Sequence, residues 1–171
     1  FLVNGSTVGN LAMIYATCTY RDTILVQRNA HKSVFYAIEL VGAKPVYLAP
    51  EWDEHTKSAG AIPLATVQEA IRLHPEAKAL VLTSPTYYGM IAQHLKEQIS
   101  AAHAANIPVL VDEAHGAHFA ASEKFPLSAL DLGADVVVQS AHKTLPAMTM
   151  ASFLHVKSTR VSMERINHYL R

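Results

Sequence analysis

Residues 108–118 read Pro108-Val109-Leu110-Val111-Asp112-Glu113-Ala114-His115-Gly116-Ala117-His118. A short, unbroken apolar run ends abruptly in two acids. Such a run suits a strand covered on both faces, as in a parallel sheet flanked by helices, rather than a strand with one wet face. Similar runs recur on either side of it. The strand candidates are Ile24–Gln27, Pro45–Leu48, Ala79–Thr83, Pro108–Asp112, Asp135–Gln139 and Ser152–Val156, and their richness in Val and Ile favours strand over buried helix. Between them the pattern predicts helices over Thr7–Thr17, His31–Val41, Leu64–Leu73 and Gln93–Ala105, with Gly42 and Asn106 as stop signals. Strand and helix alternate over the whole length, which predicts a three-layer α/β/α fold on a mainly parallel sheet with right-handed crossovers. Ala49–Ile62 is the longest expected loop.

Composition narrows the class. The 171 residues carry 14 Lys+Arg against 14 Asp+Glu, half are hydrophobic and 16% are charged. No basic footprint points to nucleic acid and no like-charge run marks a membrane-surface patch. No stretch approaches the ~18 uninterrupted apolar residues of a membrane span. The single cysteine, Cys18, cannot form an intramolecular disulfide, and the first residues lack a signal peptide's basic region. An intracellular, cytoplasmic protein is expected. The chain opens without Met inside an apolar run and ends without a turn signal, so both ends are expected to be cuts in a longer protein.

In open α/β sheets ligands sit beyond the carboxyl ends of the strands, so the residues following each run carry the chemistry. Three constellations stand out. Asn4–Asn10 (NGSTVGN) is a small, hydroxyl-rich turn entering a helix, where free N–H groups and hydroxyls form an anion cradle. Taken alone, it fits ordinary capping by Ser6 or Thr7 better. It is no Walker A loop, because no Gly-Lys-Ser/Thr follows. Asp112 ends the central run and suits a cationic nitrogen or a metal. Asp112, His115, His118 and His142 could form a metal set, yet no established ligand spacing accompanies them, and no metal is expected. Asp-Glu-Ala-His read as a helicase box would need a phosphate loop with lysine, which is absent. Ser140-Ala141-His142-Lys143 sets a lysine just past an apolar strand in a charge-poor region. An ordinary lysine belongs in a surface loop, but a desolvated one has a lowered pKa and serves as a nucleophile.

Together, a phosphate cradle, a strand-end acid and a strand-end lysine are the parts pyridoxal 5'-phosphate requires. Lys143 lies 31 residues after Asp112, room for a helix and one more strand.

The segments NGSTVGN, VQRNAHKS (26–33), SPTYYG (84–89), VDEAHGAHF (111–119) and QSAHKTLPA (139–147) make the chain resemble the cofactor-binding domain of the ornithine/lysine/arginine decarboxylases, with an aspartate-aminotransferase-type fold. The resemblance implies that Lys143 forms a Schiff base with pyridoxal phosphate and that Asp112 pairs with the pyridinium nitrogen. It places Ser6, Thr7, Ser140 and His142 on the phosphate, with Val8 contributing its backbone N–H. His31 would stack on one ring face and Ala114 pack on the other, with His115 near the ring hydroxyl or the substrate. It further implies α-decarboxylation of a basic amino acid (Lys, Orn or Arg) by a homodimer or higher homo-oligomer. Residues 1–171 would be the central part of the large domain, the N-terminal segment and C-terminal domain being absent. Another enzyme of the same fold, an α-oxoamine synthase or aminotransferase, and a catalytically inert fragment are the alternatives.

Overall fold

The computed structural model describes all residues, 1–171. The strands are β1 (Leu2–Val3), β2 (Thr23–Gln27), β3 (Lys44–Leu48), β4 (Trp52–Asp53), β5 (Ser58–Ala59), β6 (Ala79–Thr83), β7 (Val109–Asp112), β8 (Val136–Ser140) and β9 (Ser152–Val156). The helices are α1 (Ser6–Thr17), α2 (Lys32–Val41), α3 (Leu64–Leu73), α4 (Leu95–Ala104), the single turn α5 (Ala141–Thr144) and α6 (Met163–Tyr169). Seven strands form one sheet in the order β1-β9-β8-β7-β6-β2-β3. The four pairings that link β3, β2, β6, β7 and β8 are all parallel, and β8·β9 and β1·β9 are antiparallel.

The continuous apolar runs have the expected cause. Within β2, β6, β7 and β8, successive residues feed opposite faces of the sheet. Ile24, Val26, Val81, Leu110 and Val138 join the core under α1, α2 and α6. Leu25, Leu80, Leu82, Val109, Val111 and Val137 join the core under α3 and α4. Both faces are dry, so no position in these strands is free to be polar until the strand ends. Each fully buried Leu or Ile contributes about 1.5–3 kcal/mol.

Every expected strand and helix is present within two residues at each boundary. Three features depart from expectation. The stretch 49–62 is not a plain loop, since β4 and β5 pair within it as an antiparallel hairpin. β9 runs antiparallel to its neighbour, and β1 adds a two-residue edge strand beside it. α5 and α6 carried no sequence expectation.

Two glycines set where α1 sits. Gly5 forms the N-cap at φ 92°, a left-handed conformation that other residues rarely adopt. Gly9 faces β8 so closely that a Cβ there would collide with the Val138 side chain. The missing side chain lets the first turn of α1 descend onto the ends of β8 and β9. The strand order reverses at β2, with β3 on one side and β6, β7 and β8 on the other, and this switch point opens a crevice at the carboxyl ends of the strands.

Candidate active site

A cavity of about 1000 Å³ occupies that crevice, at the upper end of the roughly 300–1,000 Å³ of small-molecule sites. Its wall includes Ser6, His31, Asp112, Ala114, Ser140 and Lys143. The remaining residues singled out in the sequence, Thr7, Val8, His115 and His142, line it as well.

At one end, three hydroxyls from distant parts of the chain converge. Ser6 Oγ lies 2.6 Å from Ser140 Oγ and 3.2 Å from Ser152 Oγ. All three serines are buried. No side chain caps α1, so the capping explanation for Ser6 and Thr7 does not hold. The backbone N–H groups of Ser6 and Thr7 have no backbone partner, whereas the Val8 N–H donates to the Gly5 carbonyl at 3.2 Å. The free donors at this helix start are therefore those of residues 6 and 7, and Val8 offers the cavity an exposed side chain instead. His142 lies beside the cluster, its Nδ1 2.8 Å from the Ala151 carbonyl.

At the centre, Asp112 ends β7 and is only 3% exposed. Asn10 Nδ2 donates to its Oδ2 at 2.9 Å and the Ala114 N–H donates to its Oδ1 at 3.1 Å. Asn10 follows Ser6 by one helical turn and so shares its face. Its second amide hydrogen goes to Ser33 Oγ at 2.9 Å, and Ser33 Oγ lies 2.8 Å from His31 Nδ1. Ala114 is buried and presents only a methyl group to the cavity wall.

Lys143 stands on α5 at the far side. It is exposed, which corrects the expectation of a desolvated lysine: a single-turn helix at the strand end lifts its side chain clear of the sheet. Nζ donates to His115 Nε2 at 3.2 Å. Burial first, and the Lys143 charge second, hold the His115 imidazole below its ordinary value of 6.5. It is the neutral ring that accepts.

Glu113, next to Asp112, faces away from the cavity. It accepts from Ser128 Oγ and the Ala129 N–H, both at 2.7 Å, and from Gln139 Nε2. Burial pushes its carboxyl above the usual range despite these donors. His118 packs edge-on between Phe119 and Phe125. Asp112, His115, His118 and His142 are not brought together as a ligand set.

Two buried polar atoms on the cavity wall, Asn10 Oδ1 and Thr83 Oγ1, have no hydrogen-bond partner. Thr83 pairs with Asp112 across β6 and β7. Buried polar groups are nearly always paired, so unpaired ones on a cavity mark a place for a polar ligand. Asn10, Thr83 and Ser152 escaped the sequence reading. For Asn10 the signal was present, in its spacing from Ser6; a Thr or Ser at a strand end carries none.

A cluster of hydroxyls at a helix start, a buried carboxylate, the His31 imidazole, the small Ala114 and a primary amine thus face one cavity. They fit a phosphate-bearing, cationic aromatic ring with an electrophilic carbon. The architecture is the aminotransferase-type fold: a PLP-dependent aminotransferase from Streptococcus suis superposes over 99% of this chain and 44% of its own with a TM-score of 0.75, at 18% identity. The chain belongs to the Orn/Lys/Arg decarboxylase family, whose major-domain model matches residues 1–171. The protein YaaO of Bacillus subtilis is 61% identical over 99% of this chain and 35% of its own length. The arginine decarboxylase of the same organism is 38% identical over 99% of this chain and 34% of its own length. The chain thus spans about a third of the length of the curated relatives it matches.

Proposed function

We propose that this chain is the cofactor-binding part of a pyridoxal-phosphate-dependent decarboxylase acting on a basic amino acid, Arg, Lys or Orn, with Lys143 as the amine that holds the cofactor. The observation that carries the reading is the convergence of Asp112, Lys143 and the Ser6–Ser140–Ser152 cluster on one cavity. Family membership and the arginine decarboxylase relative support the same reading.

When bound, pyridoxal phosphate supplies an aldehyde that condenses with amines and a protonated ring that takes up the electron pair released with carbon dioxide. The chain's residues have separable tasks around it. The Ser6 and Thr7 N–H groups and the serine hydroxyls hold the phosphate, with His142 beside them. Asp112 accepts the ring N–H, oriented by Asn10 and the Ala114 N–H. The His31 imidazole would cover one ring face, and the small Ala114 would leave room on the other. His115 Nε2, neutral and in contact with Nζ, would accept and return a proton of the Lys143 amine.

On this reading residues 1–171 are the central part of a larger cofactor-binding unit in a cytoplasmic homodimer or higher homo-oligomer. Its partner is a small amino acid, with neither nucleic acid nor membrane. No helix is long and apolar enough to cross a membrane. The test is reconstitution of the complete protein with pyridoxal phosphate. Lys143→Ala should abolish the absorbance band of the lysine-bound cofactor, and a band of unchanged strength would overturn the assignment. A product assay with Arg, Lys and Orn should release carbon dioxide rather than a keto acid.

A further inference from the structure

A chain of hydrogen bonds runs from Asp112 through Asn10 and Ser33 to His31, and its direction is fixed by groups that can act in only one way. The Ser33 backbone N–H donates to His31 Nδ1 at 3.2 Å, so Nδ1 is an acceptor and carries no proton. The side-chain amide of Asn10 faces the Asp112 carboxylate at 2.9 Å, and only its Nδ2 can do so favourably. That leaves the other Nδ2 hydrogen on Ser33 Oγ. Ser33 Oγ, already accepting, directs its own proton to His31 Nδ1 at 2.8 Å. Asn10 and Ser33 are both about 1% exposed, so water does not compete within the relay. His31 Nε2 has no partner in the chain, and the ring lines the cavity.

We propose that Asn10 and Ser33 are positioning residues that hold Asp112 as an acceptor and His31 in the Nε2–H tautomer, so that the cavity meets an acceptor on one wall and a fixed donor edge on another. A ring nitrogen's protonation is set by the hydrogen bond that the other nitrogen makes. Here that bond is tied, through two buried side chains, to the carboxylate on the opposite wall. The relay exists before any ligand enters. Its use in catalysis rests on the cofactor reading given above, but its existence does not.

Nitrogen-15 NMR of the complete protein, labelled at histidine and prepared without cofactor, tests the relay directly. His31 should show an unprotonated Nδ1 and a protonated Nε2. A dominant Nδ1–H tautomer, or an even mixture of the two, would overturn the proposal. Ser33→Ala removes one of the two donors to Nδ1 and should shift the tautomer ratio about tenfold toward Nδ1–H, the effect of one hydrogen bond. Asn10→Ala should shift it in the same direction when Ser33 is present and not at all when residue 33 is alanine. An equal response in both backgrounds would mean that Asn10 acts through space or through packing, and the relay would be wrong. The spectrum is independent of the cofactor assignment, whose failure would appear as an absorbance band indifferent to Lys143.

Discussion

The two ends of the sheet each bury an aspartate, and they treat it differently. At the amino end, Asp135 precedes β8 and is fully buried. The Val109 N–H donates to its Oδ2 at 2.7 Å, His103 Nε2 lies 2.7 Å from the same oxygen, and Arg160 approaches Oδ1 at 3.4 Å. Both of its carboxylate oxygens are engaged by groups of the chain. At the carboxyl end, Asp112 is nearly as buried, yet beside it Asn10 Oδ1 and Thr83 Oγ1 lack partners and about 1000 Å³ of space lies open. One end is closed by its own side chains and the other is left incomplete. Residues of the same type are thus fully paired at one end and, at the other, set beside unpaired polar atoms on a cavity, as the proposed ligand role of Asp112 requires.

Breaking each end should give opposite results. The largest effect is expected at the closed one. Asp135→Ala removes the acceptor for a buried N–H and two cationic or polar partners, and should cost about 3 kcal/mol of unfolding free energy in a denaturant titration. Cofactor affinity, measured on the folded fraction, should change little. Asp112→Ala should do the reverse, weakening cofactor binding on the order of 10–100-fold while moving the unfolding midpoint far less. If Asp112→Ala proves as destabilising as Asp135→Ala, the contrast between the ends is wrong. Ser152→Ala sharpens the open end: about a tenfold loss in affinity for the cofactor is expected, with pyridoxal lacking the phosphate unaffected.

The smallest effects are in pH dependence. Burial raises the Glu113 carboxyl above its ordinary 4.5. Its contribution is therefore fully present below 4.5 and is lost as pH rises through the raised value. Glu113→Gln should flatten the stability profile in the window just above 4.5, leaving the rest of the curve in place. His115 moves the other way. It should titrate below 6.5, and Lys143→Ala should bring its midpoint part of the way back, since burial is the larger cause and remains.

The sheet's centre was legible because β2, β6, β7 and β8 are buried on both faces and leave an unbroken apolar signature. The short elements were not. Two residues, as in β1, β4 or β5, are too few to show a period, and the antiparallel course of β9 depends on which edge is free rather than on its own residues. Within the site, Asp112 and Lys143 stood out because charge is rare at the ends of such strands. Ser152 did not, because its role exists only through contact with Ser6, 146 residues away. The exposure of Lys143 was misjudged for a related reason: neighbours in sequence do not report how far a single helical turn lifts a side chain from the sheet.

The serine cluster also has a consequence for biosynthesis. Ser6 leaves the ribosome well before its hydroxyl partners, which belong to β8 and β9. At roughly 5–20 residues per second, about 7–30 seconds separate the two events. A nascent chain that has not yet reached Ser152 holds the start of α1 without one hydroxyl of the cluster, so on the proposed reading capture of an anion waits for β9 to dock. Contacts this distant in sequence also close slowly. Ligand capture then reports that this unit has been synthesised through β9, and a truncated product would be recognisable by its failure to retain one.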